Sequence, residues 1–126
     1  MKVHISTPIN GRQEETFEKK YQAAEARTKE IIDKLVKMPE YYYAEFVTTF
    51  TLNPLGEVTE AQAMANCVAA IMDADVAIFD NADMKAYNRS NGCQVEQKVA
   101  QSYKIPMRWI EEGKCFRDTL YIALAI

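Results

Sequence analysis

Histidine is nearly absent from this chain of 126 residues: His4 stands alone, beside three cysteines, Cys67, Cys93 and Cys115. The cysteines are widely spaced, odd in number and form no Cys-x-x-Cys pair, so a zinc site would lack ligands and no metal is expected. They read as reduced thiols of a cytosolic protein. No apolar run approaches the ~20 residues that span a bilayer. The opening MKVHIS passes straight into a strand pattern, so no signal peptide is expected. An excess of positive charge is also missing. With a net charge of -3 and a pI of about 5.2, the surface cannot neutralise a row of phosphates, which excludes a nucleic-acid polymer as the expected partner. Repeats and low-complexity linkers are absent too. What remains is one domain over 1–126, 48% hydrophobic and 26% charged, with enough apolar residues for a core.

The apolar pattern alternates between strand and helix. Lys2 to Ser6 predicts a first strand, punctuated by Thr7-Pro8-Ile9-Asn10-Gly11-Arg12. Gln13 to Lys37 predicts a helix. Its stripe is Phe17, Tyr21, Ala24, Thr28, Ile31 and Leu35, and Pro39 stops it. A β-branched and aromatic stretch predicts a second strand around Ala44 to Phe50. Thr59-Glu60-Ala61-Gln62 reads as a capping box that starts a second helix, with Met64, Cys67, Val68, Ile71 and Met72 inward. Asp75 to Phe79 predicts a third strand and Asp80 to Ser90 a loop. A helix from about Gly92 to Tyr103 follows, with Val95, Val99 and Tyr103 inward, then a fourth strand over Ile105 to Ile110. The tail from Phe116 to Ile126 fits either period, and its Ala and Leu content leans to helix.

Strands alternating with helices imply an α/β fold: a single doubly wound parallel sheet of four to five strands with flanking helices, of Rossmann or flavodoxin type. Right-handed crossovers set the loops after the first three strands along one edge. Thr7 to Arg12, Thr51 to Gly56 and Asp80 to Gly92 should therefore surround one crevice, where such sheets bind ligands.

Two features of that crevice carry chemistry. Ser90, the backbone around Gly92 and the helix start favour an anion, with Gly11 and Arg12 as a second contact. The plain alternative is that Ser90 or Asn91 only caps the helix and Arg12 is a solvated charge. Glu96 lies one turn inside the helix and flanks its buried face. A partly desolvated carboxylate there can attack an anomeric carbon or stabilise an oxocarbenium-like state. The plain alternative is a surface glutamate paired with Lys98 or Lys104.

HISTPINGR, TLNPLGEVTEAQ and ADVAIF followed by SNGCQVEQKVA resemble, in order and spacing, the nucleoside 2-deoxyribosyltransferase-like superfamily. That group includes the nucleoside-monophosphate N-glycoside hydrolases. In its pattern a Ser or Asp stands six positions before the nucleophilic Glu, a Gly two positions after it, and an Ala four positions after the Glu; Ser90, Gly92, Glu96 and Ala100 match. The resemblance implies N-glycosidic hydrolysis or deoxyribosyl transfer on a nucleoside or nucleoside 5′-monophosphate, with Glu96 as nucleophile and no cofactor. It implies a phosphate contact at Ser90, with Ser6, Pro8, Asn10, Gly11, Arg12 and Gly92 nearby. Asp80 and Tyr87 would face the sugar or base, His4 would be a core or pocket-wall residue, and a homo-oligomer would complete the pocket.

The chain departs from the pattern on its second helix. The family's second carboxylate lies eight positions before the Asp of the third strand, and here that position is Cys67. Asp73, Asp80 and Asp83 are the carboxylates left to stand in for the proton donor. Gln94 and Gln97 occupy positions where the family often has glycine. The alternative reading is a nucleotide or ADP-ribose-like ligand bound without turnover.

Overall fold

The backbone alternates strand and helix through residues 1–111 and 121–123, the part of the chain that the computed structural model describes. Strand β1 (Lys2–Ser6) leads to helix α1 (Phe17–Leu35), a 3-10 turn (Pro39–Tyr41), β2 (Glu45–Thr48) and a short α2 (Thr49–Leu52). Then come α3 (Glu60–Met72), β3 (Val76–Asn81), α4 (Met84–Arg89), α5 (Asn91–Ser102), β4 (Met107–Glu111) and β5 (Tyr121–Ala123). The sheet order is β2-β1-β3-β4-β5. β1 pairs in parallel with β2 and β3, and β3 with β4. This is the doubly wound arrangement expected of the pattern. Among the described residues no helix is long and apolar enough to cross a membrane.

Three local readings change. The tail contributes β5, antiparallel to β4, where its composition leaned to helix; the rest of Phe116–Ile126, and Cys115, lie outside the described residues. An open sheet edge offers unpaired backbone partners, and that pairing outweighs intrinsic helix propensity. The second strand stops at Thr48 because its side chain caps α2 in a reciprocal box with Thr51. The loop from Asp80 to Ser90 contains α4, started by Asp83, whose carboxylate accepts from the Ala86 N–H at 3.1 Å.

Alternation along the strands sorts the core into two layers. Val3 and Ile5 of β1 and Val76 and Ile78 of β3 pack with Ile31, Leu35 and Tyr41. Ala77 and Phe79 face the other way, against Ile71, Tyr87, Cys93, Ala100 and Met107. Helix α1 covers the first face, while α3, α4 and α5 cover the second. Successive strand side chains point to opposite faces, so His4 and Ser6, out of phase with Val3 and Ile5, look toward α5.

The helix stripes are narrower than predicted. On α1, Tyr21, Ala24, Thr28, Ile31 and Leu35 are buried, but Phe17 is exposed, because the helix begins there behind the Thr16 cap. On α3 only Cys67 and Ile71 are fully buried. The inward face of α5 is Cys93, Glu96 and Ala100, and the predicted Tyr103 is exposed. A carboxylate thus takes a core position on α5. The apolar pattern pointed about a quarter-turn away.

Candidate functional site

The strand order reverses between β1 and β3, and ligands of such sheets bind at the carboxyl ends beside that point. A cavity of about 380 Å³ lies there. The loop after β1 contributes Thr7 and Asn10, the segment after β2 contributes Asn53 and Leu55, and the start of α5 contributes Ser90 and Gly92. The three predicted loop regions do converge. Helix α3 forms a further wall with Glu60, Met64 and Cys67, and Phe17 and Tyr21 of α1 form another.

Glu96 also lines this cavity, with 7% of its surface exposed. Neither Lys98 nor Lys104 pairs with it. Instead, Ser6 Oγ donates to one carboxylate oxygen at 2.5 Å and His4 Nε2 contacts the other at 3.0 Å. The geometry follows from β1: positions two apart on a strand share a face, so His4 and Ser6 stand side by side beneath the α5 carboxylate. An ionised carboxylate only accepts, so the proton of this pair belongs on His4 Nε2, which leaves the buried Nδ1 without a partner. Hydrogen bonds to a charged group are the strong ones, each worth about 1.5–3 kcal/mol. Two of them fix the carboxylate's orientation, one on each oxygen.

Two thiols flank the clamp. Cys93 Sγ lies 3.3 Å from Ser6 Oγ. Cys67 Sγ accepts from Asn53 Nδ2 at 3.4 Å. Burial pushes the Cys67 thiol up to about 11, with the Glu96 charge the next cause. The same causes in the same order push Cys93 up to about 12. Both are neutral thiols at neutral pH, and neither is the activated thiolate of a cysteine nucleophile.

The other predicted residues divide into those at the cavity and those elsewhere. Ser90, Gly92 and Asn10 line it, and the Ser90 hydroxyl accepts the Cys93 N–H at 3.3 Å as the cap of α5. Ser6 serves the site through Glu96 and does not itself line the cavity. Pro8 is fully buried beside it. Gly11 seats its backbone on α4 and is required by crowding: a Cβ there would stand 1.9 Å from the Ala86 carbonyl oxygen. Arg12 pairs with Glu14, Nε to Oε1 at 2.8 Å, outside the lining. Tyr87 is a buried core residue and does not line the cavity. Its hydroxyl donates to Gln97 Oε1 at 2.6 Å, and its ring meets Phe79 and Trp109 edge-on.

Asp80 is separated from Glu96 by the sheet itself. It shares the phase of Val76 and Ile78, so it points to the α1 face, where Arg27 holds both its oxygens at 2.9 and 3.2 Å. The fork is a structural pair, and Asp80 does not line the cavity. Sequence reasoning missed three contributors: His4 as a partner of Glu96, Cys93 beside Ser6, and Glu60 on the cavity wall. The spacing of His4 and Ser6 was the available signal for the first. Among the described residues no group of His, Cys, Asp and Glu is placed to hold a metal.

The family model described as "Domain of unknown function (DUF4406)" matches residues 1–109. No curated protein matches the chain.

Proposed function

The chain belongs to the DUF4406 family, and we propose that it cleaves the N-glycosidic bond of a nucleoside or nucleoside 5′-monophosphate, by hydrolysis or deoxyribosyl transfer. The observation that carries this reading is the Glu96 carboxylate, buried at a cavity wall with both oxygens held from β1 by His4 and Ser6. The likeness of the three loop motifs to the nucleoside 2-deoxyribosyltransferase-like superfamily supports the same assignment.

In this mechanism a Glu96 oxygen attacks C1′, and the C1′–N bond breaks with its electron pair leaving on the base. The glycosyl ester is then opened by water or by a second base, restoring the carboxylate with net retention. Pre-orientation by His4 and Ser6 lowers the cost of bringing the carboxylate into line. Ser90 and the α5 start line the same cavity, and this reading assigns them the sugar hydroxyl or phosphate.

One observation favours a second reading, binding without turnover: the position beside Glu96 where an acid would protonate the leaving base holds the Cys67 thiol. Chromatography of nucleosides and nucleotides after incubation separates the two. Turnover requires that wild type releases free base and that Glu96→Gln, still folded by circular dichroism, loses at least about a thousandfold in rate, as removal of a covalent nucleophile does. Equal rates in the two proteins overturn the assignment of Glu96. A compound that raises Tm yet is recovered intact from wild type establishes binding alone.

A further inference from the structure

We infer that the base this cavity releases carries a positive charge before cleavage: a quaternised nitrogen heterocycle, of which a pyridinium riboside is the simplest kind. The inference rests on the N-glycosidic reading of Glu96 given above.

Charge is the first support. Glu60 and Glu96 line the cavity, and among the described residues they are the only charged side chains that do. Arg12, the cation expected for a phosphate, is turned to Glu14 instead. Two carboxylates around one cavity attract a cation and, away from the α5 start, disfavour a dianionic phosphate.

The missing acid is the second support. A neutral purine or pyrimidine leaves as an anion unless a proton reaches it, and the residue beside Glu96 on α3 is a buried, uncharged thiol. A quaternised base needs no proton. As a Glu96 oxygen forms its bond to C1′, the C1′–N pair moves onto the ring nitrogen and cancels its charge. The base departs neutral, and the carboxylate charge is consumed in the ester. Water then attacks C1′, Glu96 is regenerated as a carboxylate, and one proton passes to solvent. No oxidant, metal or general acid enters the balance.

The walls are the third support. Tyr21 and Phe17 line the same cavity with ring centroids 6.3 Å apart. Aromatic faces attract a flat cation, the more so where water is excluded. Leu55, Val58 and Met64 supply the apolar remainder.

The test is a comparison of leaving groups. Nicotinamide riboside is set against adenosine, inosine, cytidine and uridine, their 2′-deoxy forms and their 5′-monophosphates, with wild type and Glu96→Gln. General acids contribute about 10²–10⁴-fold, so a site with a thiol in place of an acid beside Glu96 should show kcat/KM for nicotinamide riboside at least about a hundredfold above every neutral substrate, abolished in Glu96→Gln. If a neutral nucleoside or a monophosphate is cleaved as fast, and Glu96→Gln stops it, this inference falls while the N-glycosidic reading stands. If no substrate releases its base, or Glu96→Gln is unaffected, both fall. Reduced nicotinamide riboside, the same framework without the ring charge, gives an independent readout. It should shift Tm much less than the oxidised form at equal concentration, and an equal shift overturns the charge recognition.

Discussion

Replacing Gly11 by alanine tests how the loop after β1 is fastened to the rest of the site. The added methyl carbon would lie 1.9 Å from the Ala86 carbonyl oxygen, 2.8 Å from its carbon and 3.0 Å from the Ser90 nitrogen. All three are backbone atoms, so no side chain can swing aside. Carbon and oxygen rest in contact at about 3.3 Å, which means the loop and α4 must part by roughly 1.4 Å. Forced overpacking of this kind costs about 1–3 kcal/mol, and backbone against backbone belongs at the top of that range. With the usual entropy of unfolding for a chain of this length, about 3 kcal/mol lowers Tm by roughly 11 °C. The same movement carries Asn10 away from Ser90 and Gly92 across the cavity, so ligand affinity should fall with stability. Thermal unfolding followed by circular dichroism, together with the urea midpoint at constant m-value, measures the first effect. A variant within about 2 °C of wild type would show that the loop does not rest on α4 and that the close approach at Gly11 is not real.

Two further outcomes follow from the site's surroundings. Asp80→Asn should lower stability by about 1.5–3 kcal/mol, since half-buried Arg27 then keeps just the weaker pair to the exposed Glu30 at 3.5 Å, while base release per folded molecule stays within about twofold. Lost activity at unchanged stability would place Asp80 in the chemistry after all. The two thiols should make the protein alkali-sensitive. Their folded values, about 11 for Cys67 and about 12 for Cys93, lie above the ordinary ~8.5 of an unfolded chain. Above that value the unfolded state has lost protons that the folded state retains. Stability is therefore full below about pH 8.5 and falls by about 1.4 kcal/mol per pH unit for each thiol as pH rises toward its folded value. Cys67→Ser should flatten urea-measured stability between about pH 9 and 11 by one thiol's share; an unchanged slope would mean that burial does not hold this thiol protonated.

The layered architecture was legible because it rests on period alone: strands two residues deep in repeat, helices at three and four, and capping residues such as Thr59 and Ser90 at their starts. The convergence of three loops followed from crossover handedness. What could not be read was phase. The α5 pattern suggested Val95, Val99 and Tyr103 as the inner face, because apolar residues ordinarily claim it. The helix turns Glu96 inward because β1 supplies two donors that only meet it across 90 positions of sequence, a pairing no local pattern encodes. Asp80 misled for a related reason. It closes a buried strand at the expected edge, but strand parity sends it through the sheet to Arg27. Tyr87 and Arg12 carried the chemistry a substrate contact wants, yet each satisfies itself on a neighbour, Gln97 and Glu14. The sequence motifs pointed to the sheet edge where the cavity lies and to the carboxylate that lines it. The identity of that carboxylate's supports needed the tertiary pairing.

The central position of β1 also has a consequence for how the molecule is made. β1 pairs with β2 on one side and β3 on the other, and both partners are synthesised after it. At ~5–20 residues per second, roughly 4 to 15 s separate the synthesis of Ser6 from that of Asn81. Throughout that interval the strand that carries His4 and Ser6 lacks its β3 neighbour, with β2 the one partner strand already made. Glu96 is synthesised later still, so the carboxylate and its two supports meet only once most of the sheet has assembled around them. Parallel pairings with long crossovers are slow to close, and this site is built from the slowest contacts in the fold.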